Sequence, residues 1–168
     1  MKKNIIEISS MSKQLKWMGE IFPCNIGSGG ITENKIEGDK CTPRGTYPLR
    51  EIMYRYDRIN KIHTKLKKRR IEKNFKWCDD PKDINYNKFL IGQYKASCEN
   101  LWRKDNIYDL VVIIGYNDEP VIPYKGSAIF MHSEGSKKSH TKGCISLSVK
   151  HLIYIVENIE ENTLVKII

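Results

Sequence analysis

The chain has 168 residues, 40% hydrophobic and 29% charged, with 11 glycines and 6 prolines, a mixture that excludes a disordered, collagen-like or low-complexity protein. At this length a single domain buries roughly 70% of its unfolded surface and needs no metal or disulfide to hold it. The 29 Lys and Arg against 20 Asp and Glu give a formal charge of +9, which favours an anionic partner: nucleic acid, an acidic membrane face or a carboxylate-rich polymer.

Met1-Lys2-Lys3 has the basic character of a secretory leader, but Glu7, Ser9, Ser10 and Lys13 interrupt the apolar stretch that should follow. No small-residue cleavage site comes after it, so the chain as written is expected to lack an export signal and to be cytoplasmic. Asn4 to Ile8 predicts a first strand, and Ile21 to Ile26 a second that ends at the Gly27-Ser28-Gly29-Gly30 turn. That glycine cluster lacks the spacing of a phosphate-cradling loop. Thr42 to Leu49 reads as a Pro/Gly-punctuated turn feeding a strand.

Residues 50–106 read as an irregular elaboration of the same domain, because no Gly/Ser linker separates them from the rest. Their basic run Lys65-Leu66-Lys67-Lys68-Arg69-Arg70 is expected to be a solvated face or loop. Tyr108 to Tyr116 and Gly126 to His132 predict buried strands. The run Leu110 to Ile114 within the first falls far short of the ~20 residues that span a bilayer. Ser148 can cap a helix with apolar positions Val149, Leu152, Ile153, Val156 and Ile159, and Thr163 to Ile168 alternates like a closing strand. The fold class is mainly β (α+β), one domain over residues 1–168.

Cysteines stand at 24, 41, 78, 98 and 144. The odd number excludes a complete disulfide framework, and no CxxC spacing suggests zinc. Cys144 differs from the others in its company. His132 precedes it by twelve residues, a polar loop joins them, and Gly143 lets the backbone approach a substrate. An imidazole that takes the thiol proton gives a thiolate–imidazolium pair with a lowered cysteine pKa, and amides near 142–144 can donate to an oxyanion. A packed thiol beside a surface imidazole fits the same residues. A metal site on His132, His140 and Cys144 lacks a fourth ligand of evident spacing.

The segment from His132 through Thr141-Lys142-Gly143-Cys144-Ile145 resembles the signature of the YkuD-type L,D-transpeptidases: a His at a strand end, a loop, then Ser/Thr-x-Gly-Cys-Ile/Val. Lys35-Ile36-Glu37-Gly38-Asp39, Thr42-Pro43-Arg44-Gly45, Tyr54 to Arg58, Trp77 to Pro81, Tyr86-Asn87, Glu99 to Arg103, Tyr108-Asp109, Gly115-Tyr116-Asn117 and Gly126 to Phe130 extend the resemblance to a compact, single-domain branch of that family. It implies a β-sandwich catalytic domain with a packed helix, Cys144 as nucleophile and His132 as base. It also implies the Ser133 carbonyl as the group that fixes the imidazole tautomer, and the amides of Lys142, Gly143 and Cys144 as the oxyanion hole. The implied partner is a peptidoglycan stem peptide and no cofactor or metal is required. A thioester forms with loss of terminal D-Ala, after which an amine gives transpeptidation and water gives L,D-carboxypeptidase activity. The family acts in the periplasm or cell envelope, so that location is expected if the chain is exported.

The usual family motif has a His two positions before the Cys and an Arg two positions after it, where this chain has Lys142 and Ser146. Lys142, with Lys137 and Lys138, is the candidate replacement charge, and His140 is at most a supporting group. Thr141, Arg55, Trp77, Tyr86 and Asn87 are candidate substrate-binding residues. Arg55 or Arg58 offers a bidentate carboxylate clamp, with a structural ion pair as the competing reading. Asp79-Asp80 lacks a second carboxylate placed for glycoside cleavage. The other classes weighed are a basic nucleic-acid-binding module and a catalytically silent wall-binding domain. No nucleic acid is expected as partner, since no helix-turn-helix, zinc-finger or RNP-type pattern is present, and no signal sets an oligomeric state.

Overall fold

The computed structural model describes residues 4–135 and 140–168; Met1-Lys2-Lys3 and the pair Lys137-Lys138 lie outside the described residues. Strands β1 (Ile5–Ser9), β2 (Gln14–Trp17) and β3 (Glu20–Pro23) form an antiparallel meander. Met18 and Gly19, both at positive φ, make the two-residue turn between β2 and β3. Met is not a usual residue there, which is why the hairpin and β2 carry little sequence signal. The short strands β4 (Ile31–Thr32) and β5 (Thr42–Pro43) pair in parallel.

The ten-residue β6 (Gly45–Tyr54) joins the two halves of the main sheet. Its Gly45–Pro48 stretch pairs with β14 (Leu164–Ile167), and its later residues pair with β11 (Leu110–Ile114) and with β7 (Lys67–Arg70). Beyond β11 come β12 (Phe130–Ser133), antiparallel to it, and β13 (Ile145–Leu147), parallel to β12. The sheet order is β13-β12-β11-β6-β14-β1-β2-β3, with β7 on β6. A separate sheet places β8 (Phe75–Cys78) between β9 (Phe89–Ile91) and β10 (Cys98–Asn100).

The halves close over one core. Ile6, Ile8, Leu15, Val165 and Ile167 on one side meet Ile52, Leu110, Val112, Met131, Ile145 and Leu147 on the other. This gives a β-sandwich, and helix α1 (Val149–Asn158) packs on β11 and β12 through Leu152, Ile155 and Val156. The next residues of the same strands point the other way: Val111, Ile113 and Phe130 join Met53, Phe75, Trp77, Leu101 and Tyr108 in a second core under the three-stranded sheet. A strand covered on both faces has no polar side to show, hence the uninterrupted Leu-Val-Val-Ile-Ile. No helix among the described residues is long and apolar enough to cross a membrane.

Several expected boundaries shift. The second predicted strand stops at Pro23, and Asn25 makes only an isolated bridge to Ser146. The elaboration begins only after β6 ends at Tyr54 and contains four regular strands. Its basic run is largely β7, whose Arg69 lies over the Phe89 ring and beside Glu51. The predicted strand from Gly126 begins only at Phe130, because Gly126 and Ala128 both have positive φ. In α1, Val149 stays exposed and Ile155 takes a place in the core.

The Ser148 side chain accepts from the His151 amide at 3.3 Å and caps α1. Ser148→Ala should cost about 1 kcal/mol and lower the thermal midpoint by about 2–4 °C. An unchanged midpoint by circular dichroism would show that the cap does not hold the helix end.

Candidate active site

The pairing of β12 with β13 puts His132 opposite Ser146. Cys144 directly precedes β13 and packs against the second core beside Phe130, two residues before His132 on β12. Cys144 and His132 both open into a cavity of about 270 Å³. The Ser133 carbonyl lies 2.9 Å from His132 Nδ1. A carbonyl only accepts, so Nδ1 carries the proton and Nε2 keeps its lone pair. The Tyr108 ring meets the imidazole edge-on at 5.3 Å and limits its rotation.

Cys144 is partly exposed at the cavity floor. Its thiol donates to the Ala128 carbonyl at 3.0 Å, and Sγ accepts from the Phe130 amide at 3.4 Å. Ala128 has φ +51, uncommon for a residue with a Cβ, and a buried network holds it there. Asn87 Oδ1 accepts from the Ala128 amide at 3.0 Å and from Trp77 Nε1 at 2.9 Å, while Asn87 Nδ2 donates to the carbonyls of Tyr116 and Asn117. Tyr86 accepts from the Gly126 amide and donates to Glu37, which also receives the Ser127 hydroxyl. Trp77, Tyr86 and Asn87 all belong to this network, and Trp77 and Asn87 also line a separate cavity with Arg50 and Phe89. All three are buried, do not line the Cys144 cavity, and position the peptide that holds the thiol.

The Thr141-Lys142-Gly143-Cys144 turn rests on two distant segments. Thr42 Oγ1 accepts from the Gly27 amide and donates to the Gly143 carbonyl at 2.8 Å. Gly27 bridges to Thr141, and Asn25 to Ser146. A Cβ on Gly143, where φ is +135, would sit 2.8 Å from the Cys41 carbonyl. Thr141 Oγ1 accepts from the Gly143 amide at 3.2 Å and donates to the Cys144 carbonyl at 2.5 Å. Thr141 thus shapes the turn, and the Gly143 amide already has a partner within it. Lys142 is exposed at the cavity rim, and His140 lines the same cavity.

The guanidinium in this cavity is Arg103, with Glu99 and Glu134. Arg55 and Arg58 do not reach it. Arg55 is buried over the Trp102 ring, paired with Asp57, and donates to the Arg103 carbonyl at 2.6 Å. Arg58 pairs with Asp109 at 2.5 Å. Both brace the segment that carries Arg103, and neither lines the Cys144 cavity. The signal for Arg103 and Glu99 lay in the segment Glu99-Asn100-Leu101-Trp102-Arg103, but nothing local distinguished them from packing residues. Asp79 and Asp80 lie away from the cavity. Among the described residues no group of three or more His, Cys, Asp or Glu is arranged to hold a metal.

Burial pushes the Cys144 thiol up to about 12, reinforced by the nearby Glu99 carboxylate. Burial likewise lowers His132 to about 4, with the carbonyls of Ser133 and Ile107 partly opposing it. Burial thus favours the neutral form of each group and opposes the thiolate–imidazolium pair expected from the sequence.

Compared with known proteins, residues 4–167 match the YkuD family, the L,D-transpeptidase catalytic domain. The chain belongs to that family. No curated protein sequence matches it. Among solved structures it is similar to Bd1075 of Bdellovibrio bacteriovorus (TM-score 0.51, 14% identity, 98% of this chain and 47% of that one). It is also similar to the helical cell shape determining protein Pgp2 of Campylobacter jejuni (TM-score 0.48, 16% identity, 99% and 51%) and to L,D-transpeptidase 1 of Mycobacterium tuberculosis (TM-score 0.46, 11% identity, 98% and 58%). The chain spans about half the length of these structures.

Asn87→Ala would leave the Trp77 Nε1, the Ala128 amide and two carbonyls unpaired. It should cost about 2–4 kcal/mol in denaturant unfolding and slow alkylation of Cys144; loss of neither would remove Asn87 from the network. With the thiol near 12, its alkylation by iodoacetamide should rise about tenfold per pH unit from pH 7 to 10. A rate constant with pH between 5 and 8 would instead reveal the ion pair. On the acid side, His132 titrates lower in the folded than in the unfolded chain, so stability should fall as pH drops from about 6.5 towards 4.

Proposed function

We propose that this protein is a cysteine acyltransferase acting on peptidoglycan stem peptides. The observation that carries the reading is that Cys144, at the start of β13, and His132, on the paired strand β12, line one cavity. Family membership supports the same chemistry. In this reading His132 Nε2 takes the thiol proton as Sγ attacks the amide carbon between a diamino acid and a terminal D-Ala. The carbonyl oxygen becomes an oxyanion facing the amides of Lys142 and Cys144, with Gly143 contributing once its bond to Thr141 loosens. Collapse breaks the C–N bond, His132 returns the proton to the leaving amine, and D-Ala departs from a Cys144 thioester.

Burial favours the neutral form of each group, so charge separation accompanies attack rather than preceding it. Arg103 Nη1 makes none of the hydrogen bonds to Asp105, which use Nε and Nη2, and it supplies a positive group for a substrate carboxylate. Lys142 adds a second cation at the rim. Glu99 and Glu134 suit an ammonium group, as a diamino acid or an amine acceptor carries. Attack by that amine gives a cross-linked product, and attack by water gives a shortened peptide.

Incubation with a purified tetrapeptide tests this. The expected results are free D-Ala, an acyl adduct on Cys144 by intact mass, and neither with Cys144→Ala. Arg103→Ala should raise KM about tenfold or more while sparing kcat. A fully active Cys144→Ala variant would defeat the mechanism, and an unchanged KM would remove Arg103 from substrate binding. A dimer or a free tripeptide among the products assigns transfer or hydrolysis.

A further inference from the structure

Outside this site, the three-stranded sheet holds two cysteines in one place. Cys78 of β8 and Cys98 of β10 are direct cross-strand partners in an antiparallel pair. The ladder bonds fix the type of pairing. Asp79 donates to the Ser97 carbonyl at 3.2 Å, and Leu101 to the Phe75 carbonyl at 3.0 Å. Hydrogen-bonded positions alternate with unbonded ones, so Trp77–Glu99 is a bonded pair and Cys78–Cys98 an unbonded one. Unbonded partners approach to a Cα separation of about 4.5 Å, inside the roughly 4.4–6.8 Å a disulfide requires. Cys78 is fully buried and Cys98 partly exposed.

We propose that Cys78 and Cys98 are a cross-strand dithiol that closes to a disulfide on meeting a disulfide oxidant, stapling β8 to β10. The inference is independent of the acyl-transfer reading. Cys98, the accessible partner, loses its proton and attacks an oxidant RSSR, displacing RS⁻, which takes up that proton as RSH. Cys78 loses its proton and attacks the Cys98 sulfur of the mixed disulfide, breaking the bond to the second SR group and releasing a second RSH. Two thiols give up two electrons and two protons, and RSSR accepts both. Desolvation holds the Cys98 thiol up at about 11 and raises Cys78 as well, so closure is slow at neutral pH. By strand alternation the thiols stand on the opposite face of the sheet from Trp77 and Glu99. The staple therefore secures the strand that bears Glu99 without entering the Cys144 cavity.

The test treats the whole protein, wild type and Cys144→Ala, with oxidised glutathione at pH 8.5, blocks remaining thiols with N-ethylmaleimide in denaturant, and maps the digest without reductant. The expected result is one peptide joining Cys78 to Cys98, with Cys24 and Cys41 carrying maleimide. A thermal midpoint raised by roughly 5–10 °C should accompany it and reverse with dithiothreitol. Cys98→Ser should abolish both the link and the shift. Glutathione retained on Cys98, a link between any other pair, or maleimide on both Cys78 and Cys98 after oxidation would overturn the proposal.

Discussion

The strand pair β11–β12 is packed on both faces, and each group that touches the Cys144 thiol is anchored to it. On one face Leu110, Val112 and Met131 meet α1 and the far half of the sandwich. On the other, Val111, Ile113 and Phe130 meet Trp77 and Tyr108 under the small sheet. A pair of strands clamped in this way cannot slip by one residue without turning its whole apolar set to the wrong side. His132 leaves the end of this pair, the Phe130 amide and Ala128 carbonyl receive the thiol, and β13 draws its register from β12. The geometry of the site follows from how well those two cores are filled.

The same packing sets the electrostatics. The burial that surrounds the thiol, between a carbonyl and an amide, also favours the neutral forms of Cys144 and His132. Positive charge is instead kept at the rim, on Lys142 and Arg103, where water still screens it. The ion pairs Arg55–Asp57 and Arg58–Asp109 serve the scaffold below. Basic residues thus divide between bracing the backbone and facing the cavity, a division that a net charge of +9 does not reveal.

Much of the architecture was legible in the sequence because it rests on local signals. The apolar run at 110–114, the Ser148 cap with its helical spacing and the alternation at the C-terminal end all fall on observed elements. The strands that escaped, β2, β4, β7 to β10 and β13, are short and depend on partners rather than on their own periodicity. The motif put Cys144 and His132 in view as a pair, whereas the protonation state they hold depends on burial, which spacing does not report. Arg55 and Arg103 illustrate the remaining difficulty. Both are arginines in aromatic surroundings, and only the fold decides which stacks beneath the segment and which looks into the cavity.

The turn that carries Cys144 is built from chain far away. Thr42 and Gly143 are 101 residues apart, and Asn25 and Ser146 are 121 apart. Contacts of such separation carry the loop-closure entropy of nearly the whole domain. During synthesis the cradle at 25–43 leaves the ribosome long before the residues it is shaped to receive. The first third of the chain is thus a receptor for the last, and the Cys144 thiol gains its surroundings only when these two distant segments have met.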